Sequence, residues 1–188
     1  DSPLDRDKGG WDGSLNTPLV GEKGMLAEGG IRGPFLLRWP ARLPKGKVYP
    51  EPVSALDIAA TAQALAGLPA DPQLDGVDLI PHLTGANPRP PHTALFWRFW
   101  SQAAVREGRW KLLHRAGDPD RLFDLESLEH ERRDLAAQMP ERASALRRQL
   151  EAWTAQLEPR GLPIDKRNAE ERAWYREYFP SPAAPATP

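Results

Sequence analysis

The run Gly21-Glu22-Lys23-Gly24-Met25-Leu26-Ala27-Glu28-Gly29-Gly30-Ile31-Arg32 decides how the rest of the chain is read. It carries no sustained helical or strand period and lies in a glycine-rich stretch, residues 1–34, that reads as a loop. A loop of that length inside a compact protein is usually functional or disordered. Glycine lets the backbone approach a ligand closely and turn its amide N–H groups toward an anion. Lys23, framed by Gly21 and Gly24, can add a point charge to such an oxyanion site. The Gly-x-x-x-x-Gly-Lys-Ser/Thr spacing is missing, so this is not a P-loop. Spacing alone leaves Lys23 as either an anion-binding cation or a solvated loop lysine. Glu28 and Arg32, around Gly29-Gly30, read as an ion pair or cap that fixes the loop.

Outward from this run, Ile31 to Trp39 predicts a short buried strand around Phe35-Leu36-Leu37, with Pro34 and Pro40 at its ends. Ser54 and Asp57 stand in capping-box relation at the head of a helix. Ile58, Ala62, Leu65 and Ala66 share its apolar face, and Gly67 with Pro69 stops it. Leu74 to Leu79 reads as a turn entering a short segment that closes at Gly85, and residues 86–91 form a proline-rich linker. The pattern then changes to β. Thr93–Trp100 is strand-like, a hairpin is centred on Glu107-Gly108, and Arg121–Leu125 offers another strand. Pro140 opens a helix whose stripe is Leu146, Leu150, Trp153 and Leu157. Residues 160–179 carry aromatics able to strap back onto the body, and 181–188 are a Pro/Ala tail.

Composition excludes several classes. The chain has 188 residues with 25 basic and 26 acidic side chains, a net charge of −1, which argues against a dedicated nucleic-acid binder. There is no cysteine, hence no disulfide framework, thiolate metal site or cysteine nucleophile. No apolar run has the length of a membrane span, and no signal peptide opens the sequence. The 21 prolines favour short elements joined by fixed turns rather than an all-helical bundle.

Few other residues suggest chemistry. His82, His92, His114 and His130 have no metal-binding spacing and read as surface or packing residues. Asp71, Asp75 and Asp78 lack the register of a calcium loop and read as turn formers. Trp97, Arg98 and Trp100 are read as core in preference to a substrate-facing rim. Arg132-Arg133 and Arg147-Arg148 read as solvated faces. No Gly-x-Ser-x-Gly elbow or paired-carboxylate motif appears. The residues alone stop at an α+β protein with one candidate oxyanion-binding lysine loop.

The Gly21–Arg32 run and the following Pro34-Phe35-Leu36-Leu37-Arg38-Trp39-Pro40 resemble the Gly-x-Lys-Gly-x-x-x-Glu-Gly-Gly-x-Arg-x-Pro stretch of the arylsulfatase family. Collinear features follow: Val53–Asp57 with Leu65-Ala66-Gly67, Leu74–Val77, Ala104-Val105-Arg106, Trp110-Lys111-Leu112, and Leu122–Leu125. The likeness covers about residues 10–160. It implies the C-terminal part of a sulfate-ester hydrolase of the alkaline-phosphatase-like superfamily. The implied fold is a fragment of α/β, the end of an alkaline-phosphatase-like sheet domain, followed by a small C-terminal antiparallel sheet with a packed helix. In domain terms, residues 1–85 would belong to the catalytic domain, 92–158 to the small sheet-plus-helix subdomain, and 159–188 to an extended tail.

The resemblance further implies that Lys23 contacts the sulfate oxygens and stabilises charge in the transition state. The family's nucleophile is a formylglycine made in a Cys/Ser-x-Pro-x-Arg motif, which this sequence lacks. Its metal is calcium. Asp1 is the candidate metal ligand here, in the place of the aspartate of the family's Asp-Asn-Gly motif, or else that motif precedes residue 1. One carboxylate cannot supply the six to eight oxygens calcium takes. The expected partners are therefore a missing N-terminal catalytic portion and a sulfated small molecule or glycan, with periplasmic or secreted location plausible by family. Two alternatives stand beside this: a phosphoester or phosphonate hydrolase of the same superfamily, and a non-catalytic module that binds sulfated glycans. Because the first strand and helix expect absent neighbours, residues 31–67 should also expose apolar surface.

Overall fold

Strands covered on both faces build the centre of the molecule. In a computed structural model that describes residues 16–159, 161 and 168–179, four antiparallel strands lie in chain order: β1 (Leu95–Phe99), β2 (Gln102–Glu107), β3 (Trp110–Arg115) and β4 (Arg121–Asp124). The β2–β3 register pairs Glu107 with Trp110, so the two-residue turn is Gly108-Arg109, one position beyond the expected Glu107-Gly108. Gly108 takes the first central place at φ +57°, a conformation only glycine adopts without strain.

Pleating sends alternate side chains to opposite faces. Ala103, Val105, Leu112 and Leu122 point one way and bury against Leu146 and Leu150 of α4 (Pro140–Thr154). Phe96, from β1, stacks on Trp153 of that helix with centroids 5.2 Å apart. The opposite face presents Gln102, Ala104 and Arg106 from β2 and Lys111, Leu113 and Arg115 from β3. Against it lie the lysine loop, through Val20, Met25, Leu26 and Ala27, and α5 (Asn168–Tyr178) with the following residue, through Trp174, Tyr175 and Phe179. The result is three layers: α4, sheet, then loop and α5. Trp97 and Trp100 pack into the loop-side core, as read from sequence. Both faces of the central strands are covered, which is why Lys111-Leu112-Leu113 is wholly buried.

Three expectations are corrected here. Residues 159–188 are not simply an extended tail, since α5 forms within them and its aromatic stripe gains a place to bury on the sheet; 181–188 lie outside the described residues. Arg147 is no ordinary solvated residue: its guanidinium reaches Asp120 at 2.9 Å, and that carboxylate also meets His114 at 2.7 Å. The Phe35-Leu36-Leu37 segment is neither strand nor buried. Leu36 is 93% exposed, because among the described residues no strand pairs with it.

The described residues group into two compact units, one running up to Gly33 and resuming at Ala94, the other Pro34–Thr93. The second unit contains α2 (Asp57–Leu65) and α3 (Ile80–Thr84), after α1 (Glu28–Ile31) in the first. The capping relation holds from the acid side: Asp57 accepts the Ser54 N–H at 2.7 Å, and also the Val77 N–H at 2.9 Å. His92 Nε2 closes on the same carboxylate at 2.9 Å. The buried face of α2 is therefore polar, Asp57 and Thr61, while Ile58 and Leu65 of its apolar face point to solvent. Leu56, Val48, Leu37 and Phe35 are exposed as well, so residues 31–67 do carry exposed apolar side chains.

Candidate functional site

Glycine makes the lysine loop possible. Gly21 and Gly24 hold φ of +89° and +97°, bracketing the exposed Lys23 in a left-handed backbone closed to ordinary side chains. A Cβ at Gly24 would lie 2.7 Å from Trp174 Cη2, and one at Gly21 2.8 Å from Ala27 Cβ. The turn is closed by the Met25 N–H donating to the Glu22 carbonyl at 3.0 Å. The Gly29-Gly30 pair serves close packing: a Cβ on Gly29 would stand 2.2 Å from the Gly21 carbonyl oxygen, and the Gly29 N–H donates to the Val20 carbonyl at 2.7 Å.

Buried polar side chains then tie the loop to its neighbours. Gln102 accepts the Leu26 N–H at 2.9 Å and donates to the Gly24 carbonyl at 2.9 Å, so one amide fixes both sides of the turn. The same Gln102 receives the Tyr175 hydroxyl at 2.8 Å and donates to Glu171 at 3.0 Å, and Glu171 also accepts from Ser101. Glu22, beside Lys23, is buried and accepts the Tyr178 hydroxyl at 2.8 Å. Burial and that carboxylate hold the Tyr178 hydroxyl in its neutral, donating form.

Glu28 is the second anchor. Its pairing with Arg32 is long, 4.0 Å, so the expected ion pair exists but is not what fixes the loop. Lys111 does that, with its ammonium 2.8 Å from Glu28 and 2.9 Å from Glu131, all three side chains closed to solvent. Glu131 also accepts the Glu28 N–H at 2.6 Å. Burial pushes the Glu28 carboxyl up, but the charge and hydrogen bond of Lys111, with Arg106 and Arg32 behind, bring it below its ordinary range. Burial dominates at Glu131, whose carboxyl stays above that range despite Lys111.

Lys111, Glu131, Gln102 and Glu171 were not singled out from sequence. Lys111 lies between Trp110 and Leu112 in a strand buried on both faces, and a cation there needs a counter-charge. The sequence offered that signal without naming the partners. Of the two residues assigned roles by resemblance, Lys23 stands on the anchored turn and Asp1 lies outside the described residues. Among the described residues no group of three or more His, Asp or Glu could hold a metal ion. These residues alone do not form the oxygen cage calcium requires. Nor is any helix among them long and apolar enough to cross a membrane.

The small antiparallel sheet with its packed helices is consistent with the C-terminal part of a sulfatase, within the alkaline-phosphatase-like architecture. The family described as "N-sulphoglucosamine sulphohydrolase, C-terminal" matches residues 20–157, and the chain belongs to it. Mouse steryl-sulfatase is 42% identical over 100 residues, which is 52% of this chain and 16% of that protein. Choline-sulfatase of Rhizobium meliloti is 34% identical over 120 residues, 58% of this chain and 23% of that protein. The solved structure of Ps i-CgsB superposes with a TM-score of 0.70 at 29% identity, covering 89% of this chain and 38% of that one. The chain thus spans well under half the length of these relatives.

Proposed function

We propose that this chain supplies the lysine-bearing loop of a sulfate-ester hydrolase and has no turnover by itself. The observation that carries the reading is the exposed Lys23 on a turn locked by two left-handed glycines and by Gln102. Lys23 meets the oxygens of the sulfate group. Its ammonium stabilises the negative charge that develops as the sulfur is attacked, and a turn fixed beforehand needs no reorganisation at that moment. Gln102, Glu171 and the Lys111 pair with Glu28 act as positioning residues for this turn.

The nucleophile, a formylglycine in this reading, comes from outside the chain, which has no cysteine and no serine in the modification motif. Calcium, when bound, would supply positive charge to the sulfate oxygens, with Asp1 at most one of its ligands. The substrate is a sulfated small molecule or glycan; the structurally similar Ps i-CgsB was solved in complex with k-i-k-neocarrahexaose. A periplasmic or secreted location belongs to the same reading.

The test is Lys23→Ala in the complete enzyme, assayed with an aryl sulfate. Turnover should fall by orders of magnitude, and a near-wild-type rate would remove Lys23 from the site. The 188-residue chain alone should not hydrolyse the same ester.

A further inference from the structure

A second cationic feature uses no residue of the lysine loop. A cleft of about 350 Å³ is lined by Arg115, Asp118, Arg121, Arg172, Tyr175 and Arg176, with Phe179 at its edge. That volume is at the small end of ligand clefts, which run from roughly 300 to 1,000 Å³, and suits one substituted sugar ring. Four guanidinium groups face one carboxylate. Asp118 is taken up by Arg115, which meets it through both Nε, at 2.7 Å, and a terminal nitrogen, at 2.5 Å, and Arg121 stands 3.8 Å away. Arg172 and Arg176, one turn apart on α5, are both exposed, and no carboxylate among the described residues pairs with either. The cleft therefore keeps an excess of positive charge.

Its walls are also built to hold that charge in place. Arg121 lies over the rings of Tyr175 and Phe179, at 5.9 and 5.3 Å from their centroids, and Arg115 lies 5.5 Å over Tyr175. Both rings are buried in the sheet core, so the guanidinium planes rest on a fixed floor. An arginine fork matches the paired oxygens of a sulfate group, and an aromatic-backed cleft accommodates a pyranose. The chain's net charge of −1 means that this positive charge is local rather than global, which disfavours a long polyanion such as nucleic acid.

We propose that this cleft is a binding subsite for a sulfate-bearing sugar ring of an oligosaccharide, with Arg172 and Arg176 as the contacting cations. The choice of a sulfated glycan rests on the hydrolase reading above, whereas anion binding by the cleft does not. The probes are a chondroitin sulfate hexasaccharide, its desulfated form, inorganic sulfate and a DNA 20-mer. Each is titrated calorimetrically into the 188-residue chain. The sulfated hexasaccharide should bind, and the desulfated form should not. Arg172→Ser with Arg176→Ser, two exposed substitutions on α5, should weaken binding at least about tenfold while the circular dichroism spectrum is unchanged. Loss of this binding in Lys23→Ala together with its retention in the double variant would place the hexasaccharide at the lysine loop and overturn the subsite, while the lysine assignment would stand. Equal binding by the double variant, or by the desulfated sugar, would overturn the subsite. Inorganic sulfate or DNA binding as tightly as the hexasaccharide would overturn its glycan specificity.

Discussion

The ammonium of Lys111 lies 2.8 Å from the carboxylate of Glu28, across 83 residues of chain, with both side chains shut away from water. A pair that is buried this completely is costly to form and more costly to break, since removing one partner leaves the other charged and unsolvated. It welds the end of the lysine loop to the centre of the sheet.

Lys111→Met should therefore destabilise the chain by about 3–5 kcal/mol, the range for a broken buried pair, read as a lowered urea midpoint. Adding Glu28→Gln and Glu131→Gln should return much of that loss. If the triple variant unfolds as early as the single one, packing of the lysine stem and not charge is what matters.

The two carboxylates around Lys111 should pull stability in opposite directions as pH changes. Glu28 is depressed from its ordinary 4.5, so its contribution is present above that pH and is lost as pH falls through the folded value. Glu131 is raised from 4.5, so the folded state holds its proton longer, and stability drains as pH climbs from 4.5 toward the folded value. Urea unfolding across pH 3–8 should show Glu131→Gln gaining on the wild type above pH 4.5 and running parallel to it below. A constant gap over the whole range would rule out a raised Glu131.

At Gly24, alanine meets two obstacles: a φ of +97° and the Trp174 ring 2.7 Å from the new methyl. Gly24→Ala should cost roughly 1–3 kcal/mol. In the complete enzyme it should lower turnover without touching any charged group. Combining it with Trp174→Ala relieves the clash but leaves the backbone strain, so recovery of activity should be partial. Full recovery would mean that the left-handed turn is dispensable.

Gln102→Leu keeps the bulk of the side chain but orphans the Leu26 N–H and the Gly24 carbonyl. Each unsatisfied buried group costs about 1–3 kcal/mol. Amide exchange at Leu26, followed by NMR, should accelerate well beyond exchange in α4; unchanged protection would show that the turn holds without its anchor.

Elements whose partners are near in sequence were legible from it. The β2–β3 hairpin, with Gly108 supplying the turn, and α4, with Leu146 and Leu150 four apart, declare themselves in pattern and punctuation. Phe35-Leu36-Leu37 has the composition of a buried strand, but a strand needs a neighbour to bond with, and among the described residues none pairs with it. For α2 the apolar stripe was visible, yet Asp57 and Thr61 face inward because the nearby chain at Val77–Leu79 offers N–H groups to satisfy. At the site, the glycines and Lys23 stood out from their spacing. Gln102, Glu171 and Lys111 did not, because a polar residue in a strand or helix says nothing of partners 69 to 83 residues away.

The docking of α5 across the loop makes the two ends of this unit a single clasp. Glu171, Trp174, Tyr175 and Tyr178 all touch the turn or its anchors, although they follow it by about 150 positions. Anyone trimming the gene for expression should therefore treat the stretch near 170–179 as part of the lysine loop's frame. A stop codon placed just after α4 would spare every strand of the sheet and still leave the lysine without its backing.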